Sequence, residues 1–183
     1  MYKAELVSNF EQLKKIHLLN QQNLKLNLSK EICREEGFVS WLYPLELLKQ
    51  MHLISPSVIV QHEGQIAGYA LTATKEMRPF HPDLDIMFQN LQELQYEGRS
   101  LAYCNFYCMG QICVAKNFRG QGIVNLLYQK HKEINSKQYE FILTEISTAN
   151  LRSLKAHEKI GFKKIYNYRD KMDDWDVVVW NWN

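Results

Sequence analysis

The sequence of 183 residues has no apolar run approaching the roughly 20 residues that a membrane span needs. Its Met1 end lacks the basic segment and apolar stretch of a secretory signal, so the expectation is a soluble, cytoplasmic protein with no membrane partner. It has little net charge, +2 at pH 7, and its Lys and Arg are scattered; that argues against a general polyanion binder and against nucleic acid as a partner. It has only four cysteines, Cys33, Cys104, Cys108 and Cys113. No Cys-x-x-Cys pair or histidine cluster accompanies them, and the last three share one strand-like run from which they cannot converge tetrahedrally. No metal is expected, and the cysteines read as reduced thiols. Neither an internal repeat nor a low-complexity linker interrupts the chain, and 46% hydrophobic with 23% charged residues is ordinary globular composition. The expected organisation is one domain over 1–183, as a monomer or homodimer.

What is present is an alternation of periods. Residues 2–6 read as a first strand, and Ser8 with Glu11 resembles a capping box ahead of a helix over about 9–24. Residues 25–43 are irregular, with a short helix expected around 30–36. Pro44 then opens a helix in which Leu47, Leu48, Met51 and Ile54 share a face. Residues 57–61 and 65–74 form a hairpin about His62-Glu63-Gly64. Leu84, Met87, Phe88 and Leu91 predict a helix over 82–94. Strands at 101–114 and 139–146 flank a helix, and a second helix over 150–160 stops at Gly161. Strands at 162–168 and 175–182 end the chain. The two strands joined by a crossover helix should be parallel, and the fold class is α/β (α+β): a single mixed, mostly antiparallel sheet of about six to seven strands with helices on both faces.

Chemistry concentrates in Phe106 to Lys130. Here a strand passes through Arg119-Gly120-Gln121-Gly122, read as the first turn of a helix whose Ile123, Leu127 and Ile134, with Val124 and Tyr128, share a face. Glycines at a strand-to-helix join bring main-chain N–H groups and a helix dipole around one point, a socket for phosphate oxygens. Arg119 adds a fixed positive charge beside it. A nucleotide-binding P-loop is the weaker reading, because Ile-Val follows Gly122 where Lys and Ser or Thr are required.

The run from Gln111 through Val114 and Arg119 to Ile123 resembles the acetyl-CoA loop of the GNAT superfamily of N-acetyltransferases, in which Arg or Gln precedes a spaced pair of small residues. Arg119 and Gly122 match, while Val124 stands where a small residue is usual. Asn150-Leu-Arg-Ser-Leu-Lys-Ala-His-Glu-Lys-Ile-Gly-Phe is similar to the carboxy-terminal motif of that superfamily, a helix opened by Asn and closed by Gly-Phe. The resemblance covers about residues 104–163, inside a cofactor core of about 101–163, and implies a GNAT-like acyl-CoA N-acyltransferase fold.

It further implies acetyl-CoA as co-substrate, with Ile112, Cys113 and Val114 along the pantetheine arm and Arg119, Gly120, Gln121, Gly122, Ile123 and Val124 around the diphosphate. Asn150 and Ser153 belong to the same site, with strands splaying at 147–150. The implied reaction is direct attack of a primary amine on the thioester in a ternary complex, the acceptor being a small molecule. His157 stands where the superfamily often has a Tyr acid, and Glu145, acidic within an apolar strand, is the candidate base. Residues 75–100 are expected to wall the acceptor pocket, with Glu35, Glu36 and Tyr43 as candidates at its border. Cys113 as an acyl-relay nucleophile is the less favoured reading, since no base neighbours it. Two alternatives remain open: a protein or peptide acceptor, and a module that binds acyl-CoA without transferring it.

Overall fold

The computed structural model describes residues 1–182. In chain order it contains β1 (Ala4–Leu6), α1 (Phe10–Gln22), α2 (Lys30–Glu36), α3 (Leu45–Ile54), β2 (Val58–His62), β3 (Gln65–Ala73), α4 (Pro82–Gln92), the short hairpin β4 (Gln95–Tyr96) and β5 (Arg99–Ser100), β6 (Phe106–Val114), α5 (Ile123–Asn135), β7 (Phe141–Ser147), α6 (Leu151–Ile160), β8 (Lys163–Arg169) and β9 (Asp174–Asn181). One seven-stranded sheet runs in the order β1-β2-β3-β6-β7-β9-β8. Its β6–β7 pair is parallel and the others are antiparallel. This is the mixed, mostly antiparallel architecture expected.

Alternation along the strands builds two cores. One face carries Leu71, Phe106, Phe141 and Leu143 beneath Ile16 of α1, Met51 of α3 and Phe88 of α4; the other carries Ala70, Tyr107, Ile142 and Val178 beneath Ile123, Leu127 and Tyr128 of α5. The β2–β3 turn uses Glu63 and Gly64, both at positive φ (48° and 74°), the turn that matches strand twist. Among the described residues no helix is long and apolar enough to cross a membrane.

Two irregularities create the site. β6 and β7 pair only from Phe106↔Phe141 to Cys108↔Leu143, and the last tie is Thr144 Oγ1 donating to the Met109 carbonyl (3.0 Å). Beyond it the strands part, so the splay begins earlier than the 147–150 expected from sequence. Opposite β3 the register of β6 slips between Leu71 and Thr72, making Gly110 an extra residue. A Cβ on Gly110 would lie 2.8 Å from the Tyr43 hydroxyl, which donates to the Gly110 carbonyl (3.0 Å). The bulge bends β6 away from β7 and exposes its edge.

Three local expectations need correction. Arg119 to Gly122 precede α5 and do not form its first turn: both glycines sit at positive φ, 74° and 79°, outside the helical region. The strand expected from 101 starts at Phe106, because Leu101–Tyr103 make a 3₁₀ turn. Asn9, and not Ser8, caps α1, its side chain accepting from Gln12 N–H (3.0 Å) while Gln12 Oε1 accepts from Ser8 N–H (2.8 Å).

Candidate active site

The parted strands leave a cavity of about 520 Å³ between the β6–α5 join and α6. Of the sequence-derived residues, Ile112, Cys113, Val114, Arg119, Gly120, Gly122, Ile123, Val124, Asn150, Ser153 and His157 line it together. Gln121 does not: its side chain accepts from Tyr2 Oη (2.8 Å) and donates to the Asn117 carbonyl (2.9 Å). Gly122 supplies no capping side chain to α5, and the first amide to find a main-chain acceptor is that of Leu126, on the Gly122 carbonyl (3.2 Å). The amides of residues 120–125 are therefore presented together at a positive helix end, which suits a diphosphate. Nothing lies within 4 Å of a Cβ built on either Gly120 or Gly122, so the need for glycine here is conformational and not steric.

Arg119 does not point at this nest. Its guanidinium is spent on the Glu36 carboxylate, Asn23 Oδ1 (2.7 Å) and the Val114 carbonyl (3.1 Å). It ties the loop to the ends of α1 and α2. Glu36, which Lys116 also pairs (3.2 Å), is held below the usual carboxylate range by Lys116 first and then Arg119. Across the cleft, Asn150 caps α6 by accepting from Ser153 N–H (3.2 Å) and donates Nδ2 to the Phe38 carbonyl (2.8 Å). Gly37, at φ 78°, passes so close that a Cβ would stand 2.9 Å from Asn150 Oδ1. Residues 36–39 thus form a strap over the splay, pinned at both ends.

A second cavity, about 220 Å³, opens on the α4 face and shares Phe38, Val39, Ile112, Asn150, Ser153 and His157 with the first. The two meet beneath the strap. Glu145 lines the second cavity on the same β7 face as Phe141 and Leu143. Its Oε1 is buried with no hydrogen-bond partner among the described residues. Burial, opposed by a Tyr168 hydrogen bond and reinforced by the Asp170 charge, pushes its carboxyl up to about 7. Tyr43 lines this cavity, whereas Glu35 lines neither and Glu36 lines only the first.

His157 is buried at the junction with both ring nitrogens in use. Nδ1 lies 2.8 Å from the Ser153 carbonyl, an acceptor only, so Nδ1 carries the proton, and Nε2 accepts from the Tyr128 hydroxyl (2.6 Å). Burial lowers it to about 4. Protonation would only reverse the Tyr128 bond, with Nε2 donating to the hydroxyl oxygen, but burial keeps the ring neutral near pH 7, so it carries no spare proton for the acid role expected from sequence. Cys113 is pushed up to about 12 by burial, leaving a thiol and not a nucleophilic thiolate.

The profile of the acetyltransferase (GNAT) family matches residues 26–162, a range that holds the strap, β6, the β6–α5 join, β7 and α6. The chain belongs to this family. As a GNAT acetyltransferase it is an acetyl-CoA-dependent N-acetyltransferase. No curated protein is significantly similar to it in sequence. Its fold is similar to that of the ribosomal-protein-S18-alanine N-acetyltransferase of Escherichia coli (TM-score 0.65, 10% identity, 99% of this chain and 94% of that one). It is also similar to a putative acetyltransferase of Salmonella typhimurium solved with acetyl-CoA (TM-score 0.63, 12% identity, 100% and 94%). A third is AAC(6')-Ib in complex with paromomycin and acetyl-CoA (TM-score 0.60, 15% identity, 99% and 93%).

Within this GNAT domain the sequence reading missed a cationic stripe: Arg152, Lys155 and Lys159 of α6 line the larger cavity. Their spacing of three and four residues was a visible helical signal. It also missed Asn23 and the strap, which no local pattern marks. The glycine requirement gives a direct test. Gly120→Ala/Gly122→Ala forces two alanines to positive φ at a cost of about 1 kcal/mol or more each. Calorimetry should show coenzyme A affinity reduced at least tenfold, with the cooperative unfolding transition retained.

Proposed function

We propose that this GNAT acetyltransferase moves the acetyl group of acetyl-CoA to the primary amine of a small molecule by direct attack in a ternary complex. The observation that carries this reading is the meeting of the two cavities beneath the strap, one with open amides and cations, the other small and lined by Glu145, whose buried Oε1 has no hydrogen-bond partner among the described residues. Acetyl-CoA supplies the thioester as an activated acetyl group. The amides of residues 120–125 hold its diphosphate, with Arg152, Lys155 and Lys159 adding positive charge, while the unpaired edge of β6 at Ile112 to Val114 lies along the pantetheine arm. Glu145 takes the proton that the attacking nitrogen must lose as the C–N bond forms and the C–S bond breaks, and coenzyme A departs as a thiolate that takes its proton from solvent. His157 stays neutral and braces α6 against Tyr128 of α5. The smaller cavity favours a small acceptor over a protein, because a peptide needs an open groove.

Free-thiol release from acetyl-CoA against a panel of amines, amino acids and peptides tests this. Intersecting double-reciprocal lines and no acetylated enzyme by mass spectrometry are expected. Parallel lines with an acetylated Cys113 would replace direct attack by a relay, and coenzyme A retained without thiol release would make the protein a binder.

A further inference from the structure

The two cavities carry opposite charge. Arg119, Arg152, Lys155 and Lys159 face Glu36 alone in the larger one, whereas the smaller is lined by Asp83, Glu145 and Asp170 and by no Lys or Arg. Asp170 at the mouth is held in place: its Oδ1 accepts from Met172 N–H (2.8 Å), Asp173 N–H (2.9 Å) and Trp175 Nε1 (3.0 Å). Neighbouring cations are used elsewhere, Arg169 on Asp174 (3.3 Å) and Lys25 on Asp173 (2.6 Å). Among the described residues the one ionisable partner of Asp83 is His81, at 3.7 Å. Deeper in, Glu145 Oε1 is buried and unpartnered among the described residues. Trp41, Tyr43, Tyr168 and Trp175 supply aromatic walls, whose faces favour cations.

Such a chamber rejects an acceptor with its own carboxylate, because no cation is there to pair with it and like charges repel. A neutral or singly charged amine would satisfy Glu145 and leave Asp170 unmatched. The volume of about 220 Å³ holds about seven waters at their liquid share of ~30 Å³ each, enough for a short linear chain and too little for an oligosaccharide.

We propose that the acceptor is a compact aliphatic diamine, one nitrogen presented to Glu145 and the thioester, the other held as an ammonium ion by Asp170 at the mouth. This rests on the transferase reading above and names its substrate class.

Putrescine, n-butylamine and γ-aminobutyrate differ only at the end remote from the reacting amine, so initial rates of thiol release with each, at saturating acetyl-CoA, isolate the distal group. Putrescine should exceed n-butylamine in kcat/KM by about a hundredfold, mostly through KM, with γ-aminobutyrate lower still. Asp170→Asn retains Oδ1 as an acceptor for the turn and should narrow the putrescine advantage about thirtyfold. If n-butylamine or γ-aminobutyrate matches putrescine, or if Asp170→Asn leaves the ratio unchanged, the diamine assignment is overturned while acetyl transfer stands. If none of the three releases thiol but a peptide does, the assignment and the small-molecule reading fall together. If nothing releases thiol although calorimetry shows coenzyme A bound, the transferase reading itself has failed.

Discussion

Glu145→Gln lowers kcat by about 10²–10⁴-fold, the usual contribution of a positioned proton acceptor, while coenzyme A binding by calorimetry stays within about twofold because Glu145 does not line the larger cavity. The pH profile separates this from a packing defect. The groups facing Glu145 are Tyr168 of β8, Asp170 of the β8–β9 turn, Tyr43 ahead of α3 and Cys108 of β6. Burial raises Tyr43, Tyr168 and Cys108, which therefore stay neutral near pH 7, and Asp170 is the only charge among them. With the carboxyl raised to about 7, wild-type kcat/KM should fall tenfold per unit below that pH, and the variant should lose this limb. Stability moves the opposite way. The folded state holds the Glu145 proton more tightly than the unfolded chain, so its contribution is intact below the ordinary value of 4.5. It is lost as pH rises towards 7 and stays lost above it. Glu145→Gln should therefore melt roughly 2–6 °C higher at pH 8 and no higher at pH 4.5. An unchanged kcat would remove Glu145 from the reaction.

What could be read from the chain beforehand was what local backbone chemistry dictates. Gly120 and Gly122 announce a backbone free to take unusual φ/ψ, although not that they lie ahead of the helix; Asn150 announces a cap and Gly161, at φ 112°, a helix stop; each is set by its own residue and a few neighbours. Glu145 stood out because a carboxylate among Phe141, Ile142, Leu143 and Ile146 needs a reason. Features set by distant segments were not legible. Arg119 looked like a phosphate ligand until Glu36 and Asn23, far off in sequence, claimed its donors. His157 looked like an acid until Tyr128 of α5 and the Ser153 carbonyl fixed its tautomer. The smaller cavity draws Trp41, Asp83 and Asp170 from three separate segments, and no window along the chain contains them all. The early splay follows from the extra residue at Gly110, which only the pairing of β3 with β6 exposes.

Arg119→Ala should be the most destabilising change at the site, and its cause is structural rather than ligand contact. The side chain is only 15% exposed and its partner Glu36 26%, so truncation takes a donor from the carboxylate, the Asn23 amide oxygen and the Val114 carbonyl at once. Lys116 at 3.2 Å keeps Glu36 paired, so the loss comes from the Asn23 and Val114 acceptors left without their donor, about 1–3 kcal/mol for acceptors stranded away from water. Denaturant titration should read that loss. Arg119→Lys should recover less than half of it, because a single ammonium cannot reach three acceptors arranged around a planar fork. Arg119→Met/Glu36→Gln should recover more, since it removes both charges. Were Arg119 instead a phosphate ligand, Arg119→Ala would weaken coenzyme A binding and leave unliganded stability alone. The arrangement predicts the reverse order: stability falls first, and affinity falls only as far as the strap at 36–39 loosens over the cleft.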